Sequence, residues 1–426
     1  MKIEKILRRI EKFIPKKLYK FFQPTYHYIL SLISAIRYGL PAYKGLTIIG
    51  VTGTKGKTST VEFVKGILEA DGHKVASTST IHFTIGEKEV VNKYKMSMPG
   101  RFFMQSFISR AKKAGCSHVV LEITSEGSRF FRNKWIPLDA LIFTNLEPEH
   151  IESHGSFEKY KQAKLNILKG LKKGAVLVAN KDNENTVDFI ANNKQKSITY
   201  SLGELESKIS NSGGIVFPFG DIRVQSPLRG EFMISNMLAA AKTALELGIN
   251  TAIIKKGIES VKNIPGRIEQ IQSGQEFSVV VDYAHTPGSL EEIYKTFPNQ
   301  KIIGVLGNTG GGRDKWKREK MAQIAAKYCS SIILTNEDPY DEDPQSIIQE
   351  MSDSIKGKNV DLILDRREAI KSALGRADSN SAVIITGKGT DPYIMGANGE
   401  KEPWSDKLVV QEELKNLLVK EQIVAK

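Results

Sequence analysis

Cysteine is almost missing: Cys116 and Cys329 are the only two in 426 residues. Two cysteines cannot build a disulfide framework or a Cys-rich zinc site, and such sparing use fits a reducing cytosol. Long apolar runs are lacking too. The most promising stretch without Lys, Arg, Asp or Glu, Gln23 to Ile36, has 14 residues, whereas a membrane-spanning helix needs about 20. A secretory signal is not expected either, because the N-terminal charged region is too long and no small-residue cleavage site follows. Repeats and low-complexity segments do not occur. What is present is an ordinary globular mixture, 40% hydrophobic and 26% charged, which excludes disordered, collagenous and coiled-coil proteins. The length suits two or three domains.

Basic residues outnumber acidic ones 61 to 48, a net charge of +13. Residues 1–44 hold ten basic side chains against Glu4 and Glu11, so the other 382 residues carry only +5. That remainder is too slight and scattered for nucleic acid, which calls for a basic stripe on the folded body. Within the arm, Ile3, Ile6, Leu7, Ile10, Phe13 and Ile14 recur at three- and four-residue steps, one apolar stripe of a helix. Pro15 is expected to end or kink that helix, and Pro24 a later turn. With Tyr26, Tyr28, Ile29, Leu30, Leu32 and Ile33 behind it, the arm reads in two ways. It is an interfacial membrane anchor, or a helix that docks on the protein's own body with its lysines solvated.

From Leu46 strands and helices alternate. LTIIGV (46–51), HVVLEI (118–123), ALIFT (140–144) and AVLVA (175–179) are buried-strand candidates, with helices expected near 58–70 and 233–247. After Pro265–Gly266 come FSVVVD (277–282), KIIGVL (301–306), SIILT (331–335), DLILD (361–365) and AVIIT (382–386). Their spacing is that of βα units, so this half should form a separate, mostly parallel sheet.

Between the first strand and its helix lies GTKGKTS: Gly53, Thr54, Lys55, Gly56, Lys57, Thr58 and Ser59. Glycines let backbone N–H groups approach phosphate, and the helix N-terminus adds partial positive charge. Lys57 would reach the terminal phosphates and the Thr58 hydroxyl would ligate Mg²⁺. The usual phosphate loop wants glycine at 51, where Val51 stands, and Gly50 falls one residue early.

The shorter form VTGTKGKT (51–58) resembles the loop of the Mur ligases, ATP-dependent amide ligases of peptidoglycan assembly. Nine further blocks match that family in order: LEITSEGSRFFR (121–132), FTNLEPEHIESHGSFEKYKQAK (143–164), LRGEFMISNMLAA (228–240), PGRIE (265–269), VDYAHTP (281–287), GGGRDKWKREKM (310–321), EDPYDEDP (337–344), GKGTD (387–391) and WSD (404–406). The pattern is most similar to the tripeptide-synthetase branch, which adds an amino acid to a UDP-linked muramoyl-dipeptide.

The resemblance implies an α/β chain with three parts. A basic amphipathic arm (1–44) precedes a P-loop-type central ATPase domain (45–264) and a C-terminal Rossmann-like domain (265–426). It implies phosphorylation of a carboxylate by ATP and attack of an amine on the acyl phosphate, in a site crowded with anions that needs fixed cations. Catalytic roles fall to Lys57, His150 and Lys164, the last as a carbamylated lysine. ATP would be held by residues 53–59 with Asn236, Asp282 and His285, and Mg²⁺ by Thr58, Glu122, His150 and Lys164. Arg267 and Lys317 are phosphate or closure contacts, or surface charges. On its own His150 reads as a loop histidine, and Lys164 as a surface lysine of an amphipathic helix.

Substrate positions implied in the same way are Ser97, Thr124, Arg132, Arg313, Asp338, Tyr340, Gly387 and Asp391. Here the chain departs from the family. Ser97–Met98–Pro99 replaces Thr-Thr-Pro, and Glu337-Asp338-Pro339-Tyr340 lacks the arginine with which diaminopimelate-adding members pair the far carboxylate. Asp391 stands where a glutamate meets the distal amino group, so lysine, another diamine and diaminopimelate all remain open. The 44 residues before the central ATPase domain show no strand–glycine–helix signature of a uridine-binding domain. The expectation is therefore a muramoyl-peptide, UDP- or lipid-linked, together with an amino acid. The expected location is cytoplasmic, with the arm at the inner face of the membrane. Two rivals are a folylpolyglutamate-synthase-like ligase and a membrane-tethered scaffold without ligation; retained Lys57, Glu122, His150, Lys164 and Arg313 argue against the second.

Overall fold

The computed structural model describes residues 16–40, 42–149, 151–211, 213–313 and 315–424. The continuous apolar runs become parallel strands covered on both faces, the environment such runs need. The first sheet contains β1 (Thr47–Thr52), β2 (Val75–Thr78), β3 (His82–Ile85), β4 (Lys88–Val91), β5 (His118–Glu122), β6 (Leu138–Phe143), β7 (Leu171–Asn180) and β8 (Lys196–Tyr200). Their order is β4-β3-β2-β5-β1-β6-β7-β8, with β3 and β4 antiparallel at one edge. β1 sits between β5 and β6, pairing Ile49 with Val120 and Ala140. Alternate residues feed two cores: Ile49, Val51 and Val120 pack under helix Lys57–Ala70, while Ile48, Val119 and Leu121 face helix Arg101–Lys113.

A three-stranded antiparallel sheet, β9 (Ile209–Asn211), β10 (Gly214–Phe219) and β11 (Ile222–Ser226), flanks this core. The second large sheet holds β12 (Glu269–Gln270), β13 (Ser278–Val281), β14 (Lys301–Leu306), β15 (Ser331–Leu334), β16 (Val360–Leu362) and β17 (Ser381–Ile385) in the order β12-β13-β17-β14-β15-β16. All its pairings are parallel except β12 on β13. Both α/β sheets expected from the sequence are present, and four of the five strand runs after Pro265 appear within a residue of their expected bounds, whereas the run expected at 361–365 is a strand only over Val360–Leu362.

The stripe at residues 3–14, with Pro15, lies outside the described residues. Beyond it, helix Lys16–Ser34 runs through Pro24, where a break was expected, and continues as a π-turn at Ala35–Gly39. Its inner side docks on the body. Trp135 Nε1 donates to Ser31 Oγ at 3.1 Å, Tyr28 meets the edges of Phe131 and Trp135, and Arg101 Nη2 lies 2.6 Å from His27 Nδ1. These contacts outweigh the one backbone hydrogen bond that Pro24 forgoes. Burial, then Arg101 and Arg132, lower the His27 pKa to about 4, so the neutral ring accepts from the guanidinium. Ile29, Ile33, Ile36 and Leu40 stay exposed on the outer side. No helix among the described residues is long and apolar enough to cross a membrane.

Candidate active site

Both sheets aim the carboxyl ends of their parallel strands at one cleft of about 1040 Å³, the edge where open α/β sheets gather their ligand loops. The first sheet contributes the loops after β1, β2, β5 and β6; the second contributes those after β13, β14, β15 and β17.

The loop after β1 turns at Gly56, which has φ 79° and caps helix Lys57–Ala70 without a side-chain acceptor. The first-turn N–H groups are thus left for an anion. A Cβ at Gly56 would strike Asn236 Oδ1, so glycine here lets Asn236, buried on helix Glu231–Glu246, press against the loop. The Asn145 side chain fixes the other rim, accepting from Lys55 N at 2.8 Å and Thr54 N at 3.2 Å. Lys57 Nζ donates to the Thr54 carbonyl at 2.8 Å, and Lys55 pairs with Glu147. Thr54 to Ser59, Asn236, Asp282 and His285 all line the cleft.

Glu122, at the end of β5, is 2% exposed and gathers four donors. Thr58 Oγ1 lies at 2.9 Å, Ser97 Oγ at 2.7 Å, Thr80 Oγ1 at 3.1 Å and Thr80 N at 3.2 Å. A hydroxyl and a carboxylate are hard oxygen donors and fit Mg²⁺. Among the described residues no group of three or more His, Cys, Asp or Glu could hold a metal ion. Mg²⁺ is usually bound through one or two carboxylates plus substrate phosphates. His150, expected as a second metal ligand, lies outside the described residues.

Lys164 is 2% exposed and sits behind the loop, its Nζ donating to the Gly53 carbonyl at 2.6 Å and lying 5.0 Å from the Tyr160 ring centre. Burial, and then the charge of Lys57, hold its pKa well below the ordinary lysine value. It is a core amine, where a surface lysine was the simpler reading. Asp282 is also buried, and accepts from Ile268 N and Ala284 N, each at 2.6 Å; it fixes the entry to the second sheet. Burial raises its pKa. His285 bridges from the Tyr283 carbonyl (Nδ1, 2.9 Å) to Glu149 Oε1 (Nε2, 2.9 Å), joining the loops after β13 and β6. Arg267 reaches across as well, with Nη2 3.4 Å from Thr58 Oγ1. Lys317 is buried and lines the cleft.

At the far end, Thr124 caps a short helix by accepting from Gly127 N at 3.0 Å, and Arg132 Nη1 donates to the Met98 carbonyl at 2.6 Å. On the second sheet's side the Arg313 guanidinium lies 4.8 Å from the Tyr340 ring centre. Gly387, at φ 103°, leaves room for Glu337, which a Cβ there would strike. Glu337 takes Thr309 Oγ1 at 2.8 Å, while its other carboxylate oxygen is buried without a partner. Asp338 and Asp391 meet Lys388 at 2.7 and 3.6 Å. Lys95, absent from the sequence expectations, completes this cluster; it stands in an irregular loop and carries no motif. Thr80, Asn145 and Glu149 were missed as well, although Asn145 and Glu149 lie inside the quoted 143–164 block. The 404–406 block is structural: buried Asp406 takes both Arg366 Nε and Nη2 and Trp404 Nε1, each at 2.8 Å.

Comparison with known proteins gives a matching result for both halves. Residues 51–244 match the Mur ligase middle domain and residues 266–389 the Mur ligase glutamate ligase domain. A UDP-N-acetylmuramoyl-L-alanyl-D-glutamate--2,6-diaminopimelate ligase of Bacillus cereus is 33% identical over 414 residues, covering 92% of this chain and 83% of that protein. One from Syntrophomonas wolfei is 34% identical over 382 residues, covering 85% and 77%. A solved ligase of the same description superposes with TM-score 0.62 at 28% identity, over 93% of this chain and 83% of the other. The Mycobacterium tuberculosis folylpolyglutamate synthase complexed with ADP shares the fold, with TM-score 0.69 at 16% identity, over 85% and 92%.

Proposed function

The chain belongs to the Mur ligase family, and from that premise we propose that it joins an amino acid to the carboxylate of a muramoyl-peptide at the expense of ATP. The observation that carries this reading is the single cleft. A helix N-terminus free for phosphate, the Thr58–Glu122 pair and the Arg313 wall of the second sheet all open onto it.

Mg²⁺ held at Thr58 and Glu122 would neutralise charge on the transferring phosphoryl group. The chain's own residues do the rest. The loop N–H groups and Lys57, released from the Thr54 carbonyl, hold the phosphates. Asn236 faces the nucleotide, its amide able to donate and accept. Arg132 and Thr124 orient the muramoyl-peptide, and Arg313 grips the carboxylate of the incoming amino acid. Lys164 is the site of carbamylation: its neutral amine adds CO₂, a C–N bond forms and a proton leaves. The resulting anion would offset Lys57 and any bound cation. Burial beside Lys57 favours the neutral amine that this step needs.

The exposed Ile29, Ile33, Ile36 and Leu40, on an arm with ten basic residues, support peripheral contact with an anionic membrane at its cytoplasmic face. The same arm packs on Phe130 and Phe131, next to Arg132. That placement favours a lipid-linked muramoyl-peptide over a soluble one.

The test is ADP release with UDP- or lipid-linked muramoyl-dipeptide and a panel of amino acids. Release that depends on both substrates supports the proposal. Release with folate and glutamate, or basal hydrolysis indifferent to all of them, overturns it.

A further inference from the structure

The second sheet carries a receptor for one ammonium group. Asp338, Asp391 and the Tyr393 carbonyl converge on a point at the cleft wall, and the Lys95 ammonium occupies it. The three distances are 2.7 Å to Asp338 Oδ2, 2.9 Å to Asp391 Oδ2 and 3.4 Å to the Tyr393 oxygen. An ammonium has three donors, and here each finds an oxygen. The receptor belongs wholly to the second sheet's side, whereas Lys95 comes from the loop between β4 and helix Arg101–Lys113, on the first.

Neighbouring groups hold the receptor rigid. Asp338 Oδ1 takes Lys388 Nζ at 2.7 Å and Met395 N at 2.8 Å. Lys388 is 1% exposed at its side chain and stands 3.6 Å from Asp391. Two carboxylates thus face two ammonium groups, and the cluster is neutral only with Lys95 in place. Lys95 itself adopts φ 52°, a left-handed backbone that a residue with a Cβ seldom takes. Without Lys95, Asp391 would keep one cation at 3.6 Å and a vacant side toward the cleft. Other ammonium groups would then be drawn there, because a buried carboxylate without a partner is costly.

We propose that Lys95 is a specificity-determining residue: by occupying the ammonium receptor from within, it closes that subsite to amino acids bearing a distal ammonium group. This rests on the ligase reading above and narrows it to amino acids with no cation at the side-chain end. Lys95→Met should open the subsite.

Two measurements test it. The first is calorimetric titration with 1,5-diaminopentane, which needs no turnover. Wild type should not bind, Lys95→Met should bind, and Lys95→Met with Asp391→Asn should lose binding again. Equal binding by wild type and Lys95→Met, or none by either, overturns the proposal. Lys95→Gln, with the same expected outcome, guards against misfolding of the first variant. The second is the ratio of kcat/KM for lysine to that for a neutral amino acid, which should rise at least about tenfold in Lys95→Met. An unchanged ratio overturns the proposal while leaving the ligase reading intact. Absence of ligation with every amino acid sinks the ligase reading instead, and the titration still decides the receptor.

Discussion

Arg267 Nη2 stands 3.4 Å from Thr58 Oγ1, although the two lie 209 positions apart in the chain. Thr58 gives its own proton to Glu122 and takes one from Arg267. The guanidinium is steadied by the Tyr283 ring, 4.8 Å away. The contact spans the two sheets, so the phosphate loop and the second half of the cleft are coupled at the atom proposed to meet Mg²⁺. Arg267→Ala should lower kcat for ligation about 10- to 100-fold with the circular dichroism spectrum unchanged. Arg267→Lys should recover only part, since lysine lacks the planar fork. Unchanged steady-state kinetics in the alanine variant would remove the coupling.

Glu122 can be tested by an isosteric change. Four donors point at its carboxylate, which is matched to an acceptor with two oxygens and no hydrogen. Glu122→Gln sets an amide NH₂ against some of those donors and removes the negative charge. The Mg²⁺ concentration needed for half-maximal ADP release should rise about tenfold or more. A Mg²⁺ titration superimposable on wild type would show that Glu122 serves the loop alone.

Much of this site was legible because it sits where pattern is strong. Continuous Val, Ile and Leu runs announce buried parallel strands, and the phosphate loop must follow one of them, so Gly53 to Ser59 and Glu122 fall at strand ends by necessity. The short strands β2 to β4, on one side of the first sheet, were not legible. β2 reads VAST and β4 reads KEVV, four residues each, with no alternation long enough to separate them from loop. Lys95 was hidden for a different reason. Its partners Asp338 and Asp391 lie 243 and 296 positions further on, and only packing of the two halves brings them together. Pro24 misled in the opposite direction, because a local rule was overridden by tertiary docking of the arm.

Lys164 separates a functional amine from a structural one. Its pKa is depressed in the folded state, so between that lowered value and the ordinary lysine value near 10.5 the unfolded chain binds one more proton. Stability therefore rises with pH across this window and is lost as pH falls through the folded-state value. Lys164→Met removes the term, and its unfolding midpoint should depend less steeply on pH than that of wild type. The same variant should abolish ligation, with partial recovery on adding a short-chain carboxylic acid that replaces the carbamate. Wild-type activity in Lys164→Met would end the carbamate proposal.

His27 gives the arm its own pH dependence. The folded pKa of about 4 lies below the ordinary 6.5, so the docked state is fully favoured above pH 6.5 and loses ground as pH falls toward 4. Protonation takes away the acceptor for Arg101 and places a cation beside two arginines. In a background of Trp316→Phe and Trp404→Phe, Trp135 emission reports docking, because its indole bonds Ser31. The emission should shift between pH 6.5 and 4 before global unfolding, and His27→Gln should flatten that transition. A shift of equal size in the glutamine variant would exclude His27 as its origin.

The outer side of the arm can be tested without disturbing the inner one. Ile29 is 50% and Ile33 49% exposed, and the docking contacts come from His27, Tyr28 and Ser31 on the other side. Ile29→Asp with Ile33→Asp should therefore leave the unfolding midpoint nearly unchanged. If the exposed stripe enters a lipid interface, losing two half-exposed isoleucines removes roughly 2 kcal/mol, about thirtyfold in partitioning. The new negative charges add repulsion from anionic lipid. Sedimentation with phosphatidylglycerol vesicles should capture the wild type and release it at high salt, as expected where basic residues supply part of the attraction. Neutral phosphatidylcholine vesicles should capture less, and the double variant should stay in solution with either. If wild type and variant sediment alike, the stripe does not meet lipid and the preference for a lipid-linked substrate loses its support.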